Sequence, residues 1–416
     1  MNAGPTPLRG ERWLWLLCAL LVGVGIYFRA RNLDLPVEFS FDERHFVKNA
    51  RRYLVSYRDG NDHPPLGKLL MAFAIGVFGD HPWAWRVPSF LAGLANIGLA
   101  AALARAIFRD RIAAVLAAAF VAADGFLLVY SRTALLDGPL TALILASALV
   151  SFTARRPAHV GIAAMLAGAA ACVKFSGIVA LVPVILACFA NGLPRSTLAF
   201  VAFAPLTYWL LFAAGLAAND LLSSPMDVVT HTARLYNEHL TKTEWTHRWV
   251  SPWYTWFLPV RPVVMRLDKA DGVIRTMNSL GNLAVWWGSE LVVLGTIVSV
   301  LRSPRAWIAR VRETAPGLFG ADARAICWLL LLWALPILPW VVTRRDSYVY
   351  HYLPAYVFGV ILLAGATARL FRMRPRLGWV VLGVVATVFV LYVPIWAELP
   401  ISRGTWQTLL FLHMWR

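Results

Sequence analysis

Long apolar runs separated by short polar segments fill most of this 416-residue chain. A helix that crosses a bilayer takes about 20 mainly apolar residues. Runs that meet that demand fall at 13–29, 85–107, 112–130, 134–153, 158–174, 176–190, 195–215, 284–301, 325–342, 350–370 and 377–396. They predict an all-α polytopic membrane protein with about 11 transmembrane helices. A further apolar run, Leu66 to Phe78, is too short to span and has the length of an interfacial helix. Just before it, Phe46, Ala50, Tyr53 and Leu54 recur at helical spacing, with Lys48, Arg51 and Arg52 on another face. That pattern predicts a second interfacial helix in the same loop.

The distribution of arginine decides the sidedness. With the amino terminus cytoplasmic and Leu66–Phe78 not spanning, the loops at 105–111, 154–159, 191–196, 302–314 and 368–376 all face the cytoplasm, and all carry arginine. Were Leu66–Phe78 to span, every later loop would change sides and the densest basic loops would lie outside, against the positive-inside bias. The outer side then receives the 31–84 loop, the 131–138 turn, the link at Lys174 and Phe175, the 216–283 loop, the 343–351 turn and the carboxyl terminus. The chain divides into an amino-terminal membrane module (1–215), an aromatic-rich outer loop (216–283) and a carboxyl-terminal membrane module (284–416).

Composition sharpens this picture in a few respects. With 59% hydrophobic and 15% charged residues, and a mean hydropathy of +0.62, the chain is too apolar for a soluble protein. Its net charge of +17 therefore reflects the cytoplasmic loops and does not argue for nucleic acid. Cys18, Cys172, Cys188 and Cys327 all lie within apolar runs and suggest neither a disulfide framework nor a metal site. The first apolar run lacks a small-x-small cleavage site, so a cleaved signal peptide is not expected. No glycine-rich nucleotide loop and no internal repeat is visible.

The residues with chemistry to offer gather on the outer side. Ser40-Phe41-Asp42-Glu43 has the form of a capping box, which gives Glu43 a structural role and leaves Asp42 free to act as a base. In His63-Pro64-Pro65-Leu66-Gly67-Lys68 the prolines suit the start of a helix. His63 and Lys68 flank that start and are candidate contacts for an acceptor or an anion. Arg86 and Arg132 open apolar helices, where snorkelling would account for them, while Lys174 interrupts an apolar stretch. Asp137 is an edge acid whose default role is to pair with one of these cations. In the long outer loop, His231, Tyr236, Trp245, His247, Trp249, Trp253, Tyr254 and Trp256 suit either interface anchoring or a lid over a reaction centre.

Taken together, FDERHF, HPPLGK, WRVPS, SRTALLDG and KFSG resemble the amino-terminal half of the protein O-mannosyltransferase family, and SPWYTW, LGNLAVWW and YHYLPAY resemble its carboxyl-terminal half. These are integral-membrane enzymes of the GT-C glycosyltransferase fold that use dolichyl- or polyprenyl-phosphate-mannose. The 216–282 loop is too short for the soluble MIR domain of eukaryotic members, so the chain looks like a compact prokaryotic one. The resemblance implies transfer of mannose, with inversion, from polyprenyl-phosphate-mannose to serine or threonine hydroxyls of secreted or membrane proteins. The reaction would occur at the outer face of a prokaryotic cytoplasmic membrane.

On this reading Asp42 is the general base, while Glu43, His63 and Lys68 contact the acceptor. Arg86, Arg132, Lys174, Arg344, Arg345 and His351 are candidates to hold the donor phosphate, with Asp137, Pro64 and Pro65 in support. Besides the lipid-linked donor, neither cofactor nor metal is implied. The partners are the donor, the acceptor protein and membrane lipid, with one chain or a dimer as the working unit. The competing readings are a GT-C transferase that moves another lipid-linked sugar to a glycolipid or polysaccharide, and a lipid or sugar transporter. A transporter would show charges near the membrane midplane and matched halves.

Overall fold

The computed structural model of the chain describes residues 11–56, 62–241, 247–270, 272–313, 315, 317–343 and 345–416. Each of the eleven apolar runs is mainly helical. The amino-terminal module begins with α1 (Glu11–Ala30), followed by the loop helices α2 (Glu43–Leu54) and α3 (Leu66–Phe78) and by α4 (Pro82–Phe108). The apolar run after α4 breaks into α5 (Arg111–Ala122) and α6 (Gly125–Tyr130), because Asp124 accepts the Leu127 amide and starts a new helix. Then come α7 (Asp137–Phe152), α8 (Pro157–Val173), α9 (Leu181–Ala190) and α10 (Phe203–Ala218), the last two each entered through a 3-10 turn.

In the outer loop lie α11 (Met226–Thr241) and the strands β1 (Val264–Ala270) and β2 (Val273–Asn278). The carboxyl-terminal module comprises α12 (Leu283–Arg302), α13 (Pro304–Arg312), α14 (Ala323–Ala334), α15 (Leu338–Val342), α16 (Leu353–Met373) and α17 (Pro375–Trp396), and ends with β3 (Ile401–Ser402) and α18 (Arg403–Leu409).

Among the described residues, six helical segments are long and apolar enough to cross a membrane by length and composition, and the protein is a polytopic membrane protein. The segment 349–373 is the axis of the fold: 83% of its apolar window is buried, against 44% or less for the other five. Around α16 pack α4, α5, α7, α12, α14 and α17. Small residues permit close helix contacts in the amino-terminal half. A Cβ added at Gly168 of α8 would lie 2.2 Å from the Ala204 carbonyl oxygen of α10.

A buried polar knot joins the two modules. The Asp124 carboxylate accepts the Tyr356 hydroxyl at 2.8 Å and the Asn282 amide at 2.9 Å, and Asn282 Nδ2 donates to the carbonyls of Ala123 and Val385. Such groups persist in an apolar interior because each finds a partner. All four cysteines are free thiols.

Two expectations need amendment. The fold is not wholly helical, since β1, β2 and β3 form a three-stranded antiparallel sheet, with Gly272 at φ +74° before β2. Its strands are short and their alternation is obscured by charged residues. In α2 the buried face is Phe46, Val47, Ala50 and Tyr53, whereas Leu54 is exposed. Arg51 is anchored within the protein, 2.8 Å from Asp80 and stacked over Trp85.

Candidate active site

The adjacent carboxylates at the start of α2 have separate environments. Glu43 is fully buried and accepts four hydrogen bonds: from Arg86 Nε at 2.8 Å, Arg86 Nη2 at 2.9 Å, the Ser40 amide at 2.8 Å and the Ala134 amide at 2.7 Å. The bond from Ser40 is the returning half of the capping box. The Ser40 hydroxyl itself has no hydrogen-bond partner among the described residues. Every lone pair of Glu43 is thus engaged in holding the loop to α4 and to the 131–136 turn.

Asp42 instead faces a cavity of about 390 Å³. The cavity wall draws on distant parts of the chain, including Asp42, His63, Asp137, Lys174, Arg345 and His351. The segments predicted to share one side therefore do meet at one end of the bundle. Burial holds the Asp42 carboxyl above the usual aspartate range, opposed in part by the nearby charges of His45, Lys174 and His247. Burial also lowers the His63 imidazole well below its ordinary value, aided by the neighbouring cations, so His63 is neutral. Its ring stacks on His239 of α11, with centroids 4.9 Å apart.

Lys174 lies in an extended break between α8 and a 3-10 turn, so it need not sit inside a continuous spanning helix. Its ammonium bridges both oxygens of Asp137, at 2.8 and 3.0 Å, and lies 5.0 Å from the centroid of the Tyr350 ring. Pairing is thus the observed role of Asp137. Arg345 hydrogen-bonds His239. His351 accepts the Tyr348 amide through Nδ1 at 3.0 Å and stacks on Trp340. An aromatic wall of Phe41, Trp340, Tyr348 and Tyr350, next to two cations and three carboxylates, makes a mixed polar and aromatic pocket suited to a sugar phosphate.

The other candidates are placed differently. Arg86 is buried against Glu43 and its remaining fork nitrogen donates to the Leu33 carbonyl, so it does not line the cavity. Arg132 donates to the carbonyls of Phe28 and Arg31 and ties down the end of α1. Lys68 is buried and donates to the His63 carbonyl, which fixes the loop from below. Pro65 occupies the N-cap of α3, with Pro64 immediately before it, and Pro65 packs closely on Gly215. Arg344 and Trp245 lie outside the described residues.

From the long outer loop, Tyr236, His239 and Leu240 of α11 line the cavity. Trp256 is buried behind it against Trp340, His351 and Tyr352. Tyr350, Asp346 and His239 are cavity residues that sequence reasoning did not single out. The first two belong to the 343–351 turn already marked as outer and charged, whereas nothing in the sequence distinguishes His239 from the other loop histidines.

Comparison with known proteins agrees with this architecture. Residues 18–85 and 62–218 match family models described as dolichyl-phosphate-mannose-protein mannosyltransferase, and residues 227–415 match the C-terminal four-transmembrane region of protein-O-mannosyltransferase. A polyprenol-phosphate-mannose–protein mannosyltransferase of Mycobacterium tuberculosis is 25% identical over 502 aligned positions, spanning 97% of this chain and 92% of the relative. Its counterpart in Mycolicibacterium smegmatis is 24% identical, spanning 97% and 93%.

Among solved structures, the Saccharomyces cerevisiae protein O-mannosyltransferase Pmt1-Pmt2 complex bound to the sugar donor superposes with a TM-score of 0.80 at 14% identity, covering 97% of this chain and 93% of that one. ArnT from Cupriavidus metallidurans bound to undecaprenyl phosphate gives 0.57 at 16% identity, covering 92% and 65%. These likenesses establish the GT-C fold. With family models matching from residue 18 to residue 218 and from 227 to 415, the chain belongs to the protein O-mannosyltransferase family.

Proposed function

We propose that this chain transfers mannose from a polyprenyl-phosphate-mannose donor to serine or threonine hydroxyls of secreted or membrane proteins, with inversion, at the extracytoplasmic face of the cytoplasmic membrane. The observation that carries the reading is the placement of Asp42, in a chain of this family, on one cavity with Lys174, Arg345 and His351. The acceptor hydroxyl gives its proton to the Asp42 carboxylate as its oxygen bonds to the anomeric carbon. The bond from that carbon to the phosphate oxygen breaks, and the lipid phosphate leaves with the electron pair. A base raised above the ordinary aspartate range by burial takes that proton more readily.

Charge grows on the phosphate as the bond breaks, so cations aimed at it stabilise the transition state more than the ground state. We assign that role to Lys174 and Arg345, with Asp137 positioning Lys174, and His351, whose Nδ1 accepts the Tyr348 amide, adds a neutral Nε2–H donor. Arg86 and Arg132 are left out because their forks are already engaged with protein acceptors. His63 is the acceptor-side contact, and Glu43 and Lys68 support the loop that presents Asp42. The arginine-bearing loops at the other end of the bundle support the sidedness.

Purified protein incubated with labelled polyprenyl-phosphate-mannose and a Ser/Thr-rich peptide should label the peptide, and Asp42→Asn should abolish the labelling. Labelling of glycolipid with none on peptide would replace the acceptor class. Unchanged labelling by Asp42→Asn would remove Asp42 from the chemistry.

A further inference from the structure

At the opposite end of the bundle lies a larger cavity, of about 760 Å³. It opens among the ends of α4, α7 and α9 and the start of α14, and four arginines from three segments line it: Arg105, Arg109, Arg155 and Arg324. Little inside the protein neutralises them. Asp110, the acid next to Arg109, forms a bidentate pair with Arg372 at 2.9 Å and also caps α5. Asp322, the acid in the cavity wall, caps α14 through the Arg324 amide. Arg324 donates to the carbonyls of Ala190 and Val311. For Arg105, Arg109 and Arg155 there is no ion pair among the described residues.

The general excess of arginine on one membrane side explains how many cations occur there, but not why these converge on one concavity. The helix carboxyl ends nearby carry partial negative charge, which favours Arg105 in the last turn of α4 and Arg109 just after it but not Arg155, three residues beyond the end of α7. Arg109 adds an independent observation. It occupies the residue after α4 at φ +53°, a left-handed position that glycine or asparagine takes at low cost. An arginine there is retained against a backbone penalty, which points to a use for its side chain. Beside Ser151, Thr153 and Asn191, the wall carries an apolar part of Ile107, Phe108, Phe152, Leu186 and Trp328, and Phe152 and Trp328 pack 4.9 Å apart.

We infer that this cavity is a binding site for an anionic phospholipid. The phosphate-bearing headgroup is held by Arg105, Arg109 and Arg155, and the acyl chains lie along the apolar wall. Basic pockets between membrane helices recognise such headgroups, and each arginine near the surface adds to the attraction.

The test uses full-length protein, delipidated in mild detergent and titrated with phosphatidylglycerol, phosphatidylcholine or inorganic pyrophosphate, with bound lipid read by native mass spectrometry and unfolding by thermal shift. Wild-type protein should retain phosphatidylglycerol over phosphatidylcholine, and R105Q/R109Q/R155Q should lose about tenfold or more in apparent affinity. R310Q/R312Q/R376Q removes as many exposed arginines that do not line the cavity and should stay within about twofold of wild type. Arg109→Gly provides a second probe that does not depend on insertion of the triple variant and relieves the backbone penalty. It should bind phosphatidylglycerol more weakly while unfolding no earlier than wild type in phosphatidylcholine. Equal loss in the control triple, unchanged binding by Arg109→Gly, or stabilisation by pyrophosphate equal to that by phosphatidylglycerol would each overturn the proposal.

Discussion

Replacing Glu43 by glutamine should unfold the protein far more than it disturbs the chemistry, and replacing Asp42 by asparagine should do the reverse. Each Glu43 oxygen receives two N–H donors: Oε1 from Arg86 Nε and the Ala134 amide, Oε2 from Arg86 Nη2 and the Ser40 amide. The amide nitrogen of a glutamine must take one of those positions and would face two donors with a donor of its own. Arg86 would keep two acceptors, the Leu33 carbonyl and the remaining glutamine oxygen, but its buried charge would be uncompensated. Breaking such a pair costs about 3–5 kcal/mol.

A thermal or denaturant midpoint measured on purified protein should drop accordingly. The double variant E43Q/R86Q should be much less unstable than the sum of the single variants, because the second change removes the charge that the first leaves unpaired. Asp42→Asn should leave the midpoint unchanged or raise it, since burial already disfavours the ionised carboxylate. Its kcat for mannosyl transfer should fall by about 10²–10⁴. If E43Q melted with wild type while losing activity as D42N does, or if the double variant were additive, the separation of roles between the two acids would fail.

Because the folded protein holds Asp42 above the usual aspartate range, kcat/KM should rise with pH through that raised value, and D42N should flatten the acid limb; a limb at an ordinary aspartate pKa would contradict the burial. Stability should run the other way, with the Asp42 contribution present below its unfolded pKa and lost as pH rises through the folded one, measurable as a wild-type-minus-D42N difference in unfolding midpoint. Arg345→Gln should cost about tenfold or more in kcat/KM for the donor, the scale of a charge-assisted hydrogen bond, with little change in midpoint, whereas Arg132→Gln should lower the midpoint and leave the KM for the donor alone. Gly168→Ala should destabilise by about 1–3 kcal/mol, seen as an earlier unfolding midpoint, because its methyl group would press on the Ala204 backbone of α10.

What the sequence determined by itself was whatever depends on neighbours along the chain. Crossing a bilayer demands a continuous apolar run, so the helices could be located by length and composition, and the arginine loops indicated which polar segments share an end. The capping pattern at Ser40 to Glu43 was likewise local, and it was enough to separate Asp42 from Glu43. The tertiary structure decided which charges pair. Glu43 takes Arg86 from 43 residues away, Lys174 takes Asp137 from 37, and Arg132 reaches the Phe28 carbonyl across 104.

Six cations looked alike as candidates for the donor phosphate, because an arginine at a helix end has the same local sequence whether its fork is spent on a carbonyl or open to a cavity. The knot of Asp124, Asn282 and Tyr356 was unreadable for the same reason, as its members lie on segments that meet only when the two modules pack. Periodicity reports one helix at a time. The partner that satisfies a buried charge is chosen by the desolvation cost of leaving it alone, and that cost exists only once the helices have closed around it.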